Sequence, residues 1–221
     1  LSRIVRDKEP LDKGAELAAK IEEMTSFNPD ASINNLLAQF YLLKGDKAKA
    51  EELYGKTFME NQVQSFGYDL VGYANFWVGQ NSNLDSAVAM AEAALKLQPE
   101  SSYFLSQAAN AYVKAGQEAK ALTVYGPAFA RKNAADGSAL YSYAGFWARQ
   151  GKNLNDALSA AKKATSILPT AYYVWNTLSL VQEKLKNIPE AVKAKEKAIE
   201  LAPETLKENY KKDLERVKGI K

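Results

Sequence analysis

The sequence predicts an all-α protein built from stacked helix pairs. Three observations carry this. Residues 73 to 87 read YANFWVGQNSNLDSA and residues 143 to 157 read YAGFWARQGKNLNDA, so a 15-residue pattern recurs 70 residues downstream of itself. Small residues recur at Ala38, Ala74, Ala109, Ala144 and Ser179, spaced 36, 35, 35 and 35 apart. A second small series, Ala50, Ala87, Ala121, Ala157 and Ala191, follows them. Seven residues beyond each of these sits Thr57, Ala94, Ala128, Ala164 or Ala198, two helical turns along the same face. Self-similarity at a fixed period marks units that bury their apolar faces against neighbours and form an extended surface.

The elements follow in order. Leu11 to Phe27 reads as a helix, with Leu17, Ala18, Ile21 and Met24 on one side and Asn28-Pro29-Asp30 as its stop. Residues 1–30 are thus an N-terminal helical segment, compatible with the second helix of a truncated repeat. Residues 31–205 hold five helix pairs. In each pair the first helix carries a small residue where the second crosses closely. The residue three positions on is aromatic in the first four pairs: Tyr41, Trp77, Tyr112 and Trp147. Trp77 and Trp147, with their neighbours Phe76 and Phe146, read as core and not as a ligand cage. Gly45-Asp46, Gly116-Gln117 and Gly151-Lys152 mark turns within pairs, and Pro99, Pro169 and Pro203 close units. Residues 203–221 form a capping helix, with Leu206, Tyr210, Leu214 and Val217 as one apolar stripe on a charged background.

Composition excludes several classes of function. The 221 residues are 47% hydrophobic and 25% charged, which suits a large core. The net charge of +3 is small, and basic residues alternate with acidic ones, so no nucleic-acid partner is expected. Cysteine and histidine are absent, which rules out disulfides, Cys/His zinc sites and Cys–His or Ser–His nucleophiles within the chain. No phosphate-cradling glycine loop occurs, so neither cofactor, metal nor catalysis is expected. No apolar run approaches ~18 residues, so no membrane insertion is expected.

The residues that recur at 35 resemble the tetratricopeptide repeat family over about residues 31–205. The family unit is a 34-residue helix–turn–helix with small residues at positions 8, 20 and 27, aromatics at 11 and 24, and proline at 32. The third unit offers Ala109, Tyr112, Gly116, Ala121, Tyr125 and Ala128; the fifth offers Trp175, Leu178, Ser179, Ala191, Ala198 and Pro203. There are departures. Repeats two and four carry one extra residue in the inter-helix turn, at Asn83-Leu84 and Asn153-Leu154. Position 24 is Ala91, Ala161 and Lys195 in repeats two, four and five, and Gln182 replaces the aromatic at position 11 in the fifth.

The resemblance implies a right-handed α-α superhelix, with positions 2, 5, 9, 12 and 13 of each first helix facing a concave groove. Those positions hold Asn35, Gln39, Tyr68, Val71, Asn75, Tyr103, Ser106, Asn110, Tyr141, Tyr173 and Asn176. The lining is neutral and rich in amides and tyrosines. Tyrosine offers rigid contact area with a polar tip, and amides can bond a peptide backbone. The function implied is a non-catalytic scaffold that holds a peptide or partner helix. Lys114, Arg149 and Lys184 fall at position 13 of three consecutive repeats and form a basic line at the groove edge. One family subset grips a C-terminal carboxylate through cations at positions 5 and 9; this chain has none there. An apolar end of the stack also offers a homodimer contact. The stretch from Tyr172 to Glu204 loosely resembles repeat regions that follow thioredoxin-like domains in some bacterial proteins. The alternative function is therefore an accessory repeat region of a larger bacterial thioredoxin-like redox protein.

Overall fold

The computed structural model describes residues 1–8, 11–25, 31–55 and 67–220. These are helical, with no strand among the described residues. The chain divides into two compact units, Leu1–Gly116 and Gln117–Lys221.

The first unit holds α1 (Ser2–Asp7), α2 (Leu11–Thr25), α3 (Ala31–Leu43), α4 (Lys47–Leu53), α5 (Tyr68–Gln80), α6 (Leu84–Leu97) and α7 (Ser102–Lys114). Helices pair as the repeat predicts: α3 packs on α4, α5 on α6, and α6 on the next first helix, α7. Helix α1 was not legible, being six residues long and too short to show a period. Its Ile4 is buried with Ala18, Leu37 and Phe40. Gly14 brings α2 close to this cluster, since a Cβ there would stand 2.3 Å from the Phe40 ring. The expected apolar face of α2 is only half right. Ala18 and Ile21 turn inward, but Leu17 and Met24 are exposed, Met24 at 81%. The expected stop at 28–30, and Thr57, lie outside the described residues.

The second unit holds α8 (Glu118–Tyr125), α9 (Pro127–Lys132), α10 (Gly137–Gln150), α11 (Leu154–Ile167), α12 (Tyr172–Lys184), α13 (Ile188–Leu201) and α14 (Glu204–Lys218). The pairs α10–α11 and α12–α13 are its densest packing, and α14 lies on α13 as a cap. The caps follow the expected prolines: α6, α11 and α13 each end two residues before Pro99, Pro169 and Pro203.

Both small-residue series are buried. Ala38, Ala50, Ala87, Ala109, Ala121, Ala144, Ala157, Ser179 and Ala191 are all 0% exposed, and Ala74 is 1%. The Ser179 hydroxyl donates to the Ala191 carbonyl at 2.8 Å, so a polar small residue satisfies itself across the crossing. Leucine at Ala157 would overpack the α10–α11 crossing at about 1–3 kcal/mol. The expected result is a lower midpoint in thermal and urea melts of A157L. A parent-like melt would mean that the crossing has room for three more carbons.

Ala128 is a correction. It was expected inside, two turns from Ala121, but it is exposed. Pro127 supplies no N–H and disfavours helical backbone at the residue before it. Gly126 accordingly takes an extended conformation, and the second helix of repeat three breaks into α8 and α9. Phe129 takes the inward place, its ring 4.5 Å from that of Tyr125.

The turns show what the extra residue in repeats two and four does. Repeats one, three and five turn through one left-handed residue each: Gly45, Gly116 and Lys186. Repeats two and four use two each, Asn81 with Asn83 and Gly151 with Asn153. Asparagine tolerates this conformation better than most residues. The inserted position therefore adds a second reversal and leaves the helix pairs intact.

Candidate peptide-binding face

In the first unit the face is built by the first helices α3, α5 and α7. Tyr68 and Tyr103 start α5 and α7 and stay exposed, at 58% and 45%. Their rings lie 5.8 Å apart at 33°, so the two form one aromatic patch. Asn35 and Gln39, one turn apart on α3, are half-buried, and the Gln39 amide donates to the Asn35 carbonyl oxygen at 2.5 Å. Asn75 and Asn110 are half-buried. The Ser106 hydroxyl donates to the Tyr103 carbonyl at 2.7 Å and is spent on its own helix. Val71 is a correction: it is 1% exposed and packs with Ala94 and Phe104 in the core, so it offers no surface. Lys114 is exposed in the last turn of α7.

In the second unit the first helices α10 and α12 pack side by side. Tyr141 and Tyr173 stand on them with ring centroids 4.9 Å apart at 56°. Arg149 and Lys184 are exposed in the last turns of the same two helices. The Asn176 carbonyl oxygen accepts from the Lys195 ammonium at 2.5 Å. This contact was not legible, because Lys195 falls at an aromatic core position of the repeat. It is 4% exposed and lies 2.5 Å from Asp213 and 5.3 Å from the Tyr210 ring centroid. Arg216 joins the group, bonding Asp213 and, through two nitrogens, Glu183. These residues line a cavity of about 310 Å³ beneath the capping helix. Two cations balance two carboxylates there, so the cluster ties α14 to α12 and α13.

The paired aromatics are core, as expected. Trp77 and Trp147 are 0% exposed, and Phe76 and Phe146 are 7%. Burial pushes the phenols of Tyr125 and Tyr143 above their ordinary range, so both stay neutral core groups. Among the described residues no cluster of Asp and Glu is placed to hold a metal ion. No described helix is long and apolar enough to cross a membrane.

No cation occupies position 5 or 9 in sequence, yet the Arg149 guanidinium lies over Gly145, at position 9 of repeat four. Its Nη1 stands 3.2 Å from where a Gly145 Cβ would be. The signal was available as a glycine four residues before an arginine on one helix.

Residues 172–205 match the tetratricopeptide repeat family model. No curated protein matches the chain in sequence. Solved structures share its fold. A thermophilic TPR protein of Thermus thermophilus aligns over 86% of this chain and 100% of its own, at 17% identity and a TM-score of 0.55. A human IFIT1 dimer with m7Gppp-AAAA aligns over 91% of this chain and 50% of its own, at 20% identity and a TM-score of 0.51. A tetratricopeptide repeat protein from Parabacteroides merdae ATCC 43184 aligns over 86% and 73%, at 18% identity and a TM-score of 0.50.

Proposed function

The chain is a tetratricopeptide-type helical repeat protein, and from that premise we propose that it is a non-catalytic scaffold that holds a linear peptide along its first helices. Repeat proteins of this type generally mediate protein–protein contacts. The observation that carries the reading is the pairing of tyrosines that reach the surface on adjacent first helices, exposed Tyr68 with exposed Tyr103 and half-buried Tyr141 with exposed Tyr173. A fold that spent these rings on its own packing would bury them, as it buries Tyr73, Tyr125 and Tyr143. Such pairs, flanked by amides, instead offer stacking area and hydrogen bonds to a peptide backbone.

The test is selection of linear peptides on the intact chain, followed by titration against Tyr103→Ala and Tyr173→Ala. Binding should weaken by roughly 1–2 kcal/mol in at least one variant, because buried aromatics act as anchors. Melting temperatures should move little, since both rings are exposed. Peptides indifferent to both substitutions would place the binding surface elsewhere, and loss of fold in Tyr103→Ala would make that ring structural.

A further inference from the structure

We propose that the second unit recognises a peptide segment carrying an acidic side chain two to four residues from an aromatic one, with Arg149 taking the carboxylate and the Tyr141–Tyr173 pair the ring. This rests on the peptide-binding reading above and says which peptide.

The argument starts from Gly145. Side chains on a helix lean toward its N-terminus, so residue i+4 reaches back over residue i. Arg149 does this over Gly145, where no side chain blocks it. Its guanidinium carbon stands 3.9 Å from the vacant Cβ position, and the Thr177 methyl of α12 stands 3.6 Å from that same point. The cation therefore rests in the seam between α10 and α12, on the face that carries the tyrosines.

Charge points the same way. Helix α10 contains no Asp or Glu. The one carboxylate on α12, Glu183, is engaged by Arg216. No ion pair among the described residues holds Arg149, and it is exposed. Arginine keeps its charge at any working pH and matches a carboxylate with two parallel N–H bonds. A face with this arginine, with Lys184 in the last turn of α12 and with no unengaged carboxylate on either helix, complements an acidic side chain.

Spacing sets the motif. Tyr141 precedes Gly145 by four residues and leans back by the same rule, so its ring and the guanidinium lie between one and two turns apart, ~6–11 Å along the axis. In an extended peptide, residues i and i+2 point to the same side ~7 Å apart, and residues i and i+4 ~13 Å apart. An acidic residue over Gly145 thus places the side chain two to four positions away on the Tyr141–Tyr173 pair, where an aromatic ring stacks best.

Linear peptides displayed as a library would be selected on the intact chain, and the strongest synthesised with amidated C-termini. Enrichment of Asp or Glu two to four residues from Phe, Tyr or Trp is expected. Arg149→Gln should weaken these peptides about tenfold, the scale of a lost charged hydrogen bond. Rising salt should weaken them on the parent chain and much less on Arg149→Gln. Gly145→Ala keeps the charge but makes the guanidinium, 3.2 Å from the added Cβ, give way by a few tenths of an ångström, so it should weaken them less than Arg149→Gln does. Alanine is the better helix former, so this variant should stay folded. Enriched peptides without that spacing, peptides indifferent to both substitutions, or binding that requires a free C-terminal carboxylate would overturn the proposal. Binders lost in Tyr173→Ala but unaffected by Arg149→Gln would leave the groove reading standing alone. A selection that yields no binder at all would sink both.

Discussion

Replacing Trp147 with alanine is expected to cost about 3–5 kcal/mol. The indole is 0% exposed, so the substitution leaves a large cavity on α10. Its ring packs on Phe146 at 5.0 Å and on Tyr143 at 6.5 Å. The second part of the cost is polar. The break at Gly126-Pro127 diverts the Phe129 N–H to the Gly126 carbonyl at 3.0 Å. An unbroken helix would have given it to Tyr125. The Trp147 indole N–H fills that vacancy, donating to the Tyr125 carbonyl at 2.7 Å. Without it, a buried acceptor goes unpaired, at about 1–3 kcal/mol. Trp147→Phe separates the two contributions, since it keeps most of the packing and loses the donor. Urea unfolding should rank Trp147→Ala as the larger loss and Trp147→Phe as the smaller. Equal losses would mean that the hydrogen bond carries the whole effect, and parent-like melts of both would remove the indole from the core. Trp77 repeats the device 70 residues earlier, donating to the Tyr54 carbonyl at 3.3 Å.

Asp213→Ala is expected to cost about 2–4 kcal/mol, because it strands a buried cation. Lys195 would keep only the Asn176 oxygen and the Tyr210 ring face. Lys195→Met should be within ~1 kcal/mol of the parent, since it removes the charge and nearly conserves volume. Asp213 would still hold Arg216 at 2.7 Å. Chemical denaturation of both variants checks this asymmetry. Similar losses in the two, or none in Asp213→Ala, would refute it. The pH dependence follows from the same residues. Burial pushes the Asp213 carboxyl up, but hydrogen bonds from Lys195 and Arg216 outweigh it and hold the group below its ordinary value. Hydrogen bonds from Arg216 hold Glu183 low. Depressed carboxylates stabilise the fold fully above their unfolded values, ~3.9 for Asp and ~4.3 for Glu. That stability is lost as pH falls through this range toward the lower folded values. The gap between the parent and Asp213→Ala should therefore hold at neutral pH and close below about pH 4.

What the sequence by itself determined is the repeat. A 35-residue period in small residues is a statement about helix crossings, and a crossing tolerates only a small side chain wherever it occurs. Ala144, Ala157 and Ser179 could thus be placed in the core without coordinates, whereas the placing of Tyr68, Tyr103, Tyr141 and Tyr173 on a groove is an expectation from the family resemblance. Tertiary structure alone decided the exceptions. A local proline break put Ala128 outside and Phe129 in, because one missing N–H outweighs a matching small residue. Val71 and Tyr141 hold the same place in the 70-residue repeat, yet Val71 is buried and Tyr141 half-exposed; the period fixes the place, and the neighbouring side chains fix whether it is covered. Lys195 stands where the repeat calls for an aromatic, because Asp213 on the capping helix pairs with its charge. Arg149 comes to rest over position 9 of its repeat, which its own number does not predict, because Gly145 leaves that space empty. Periodicity reports where backbones cross, but where a long side chain comes to rest depends on what its neighbours leave open.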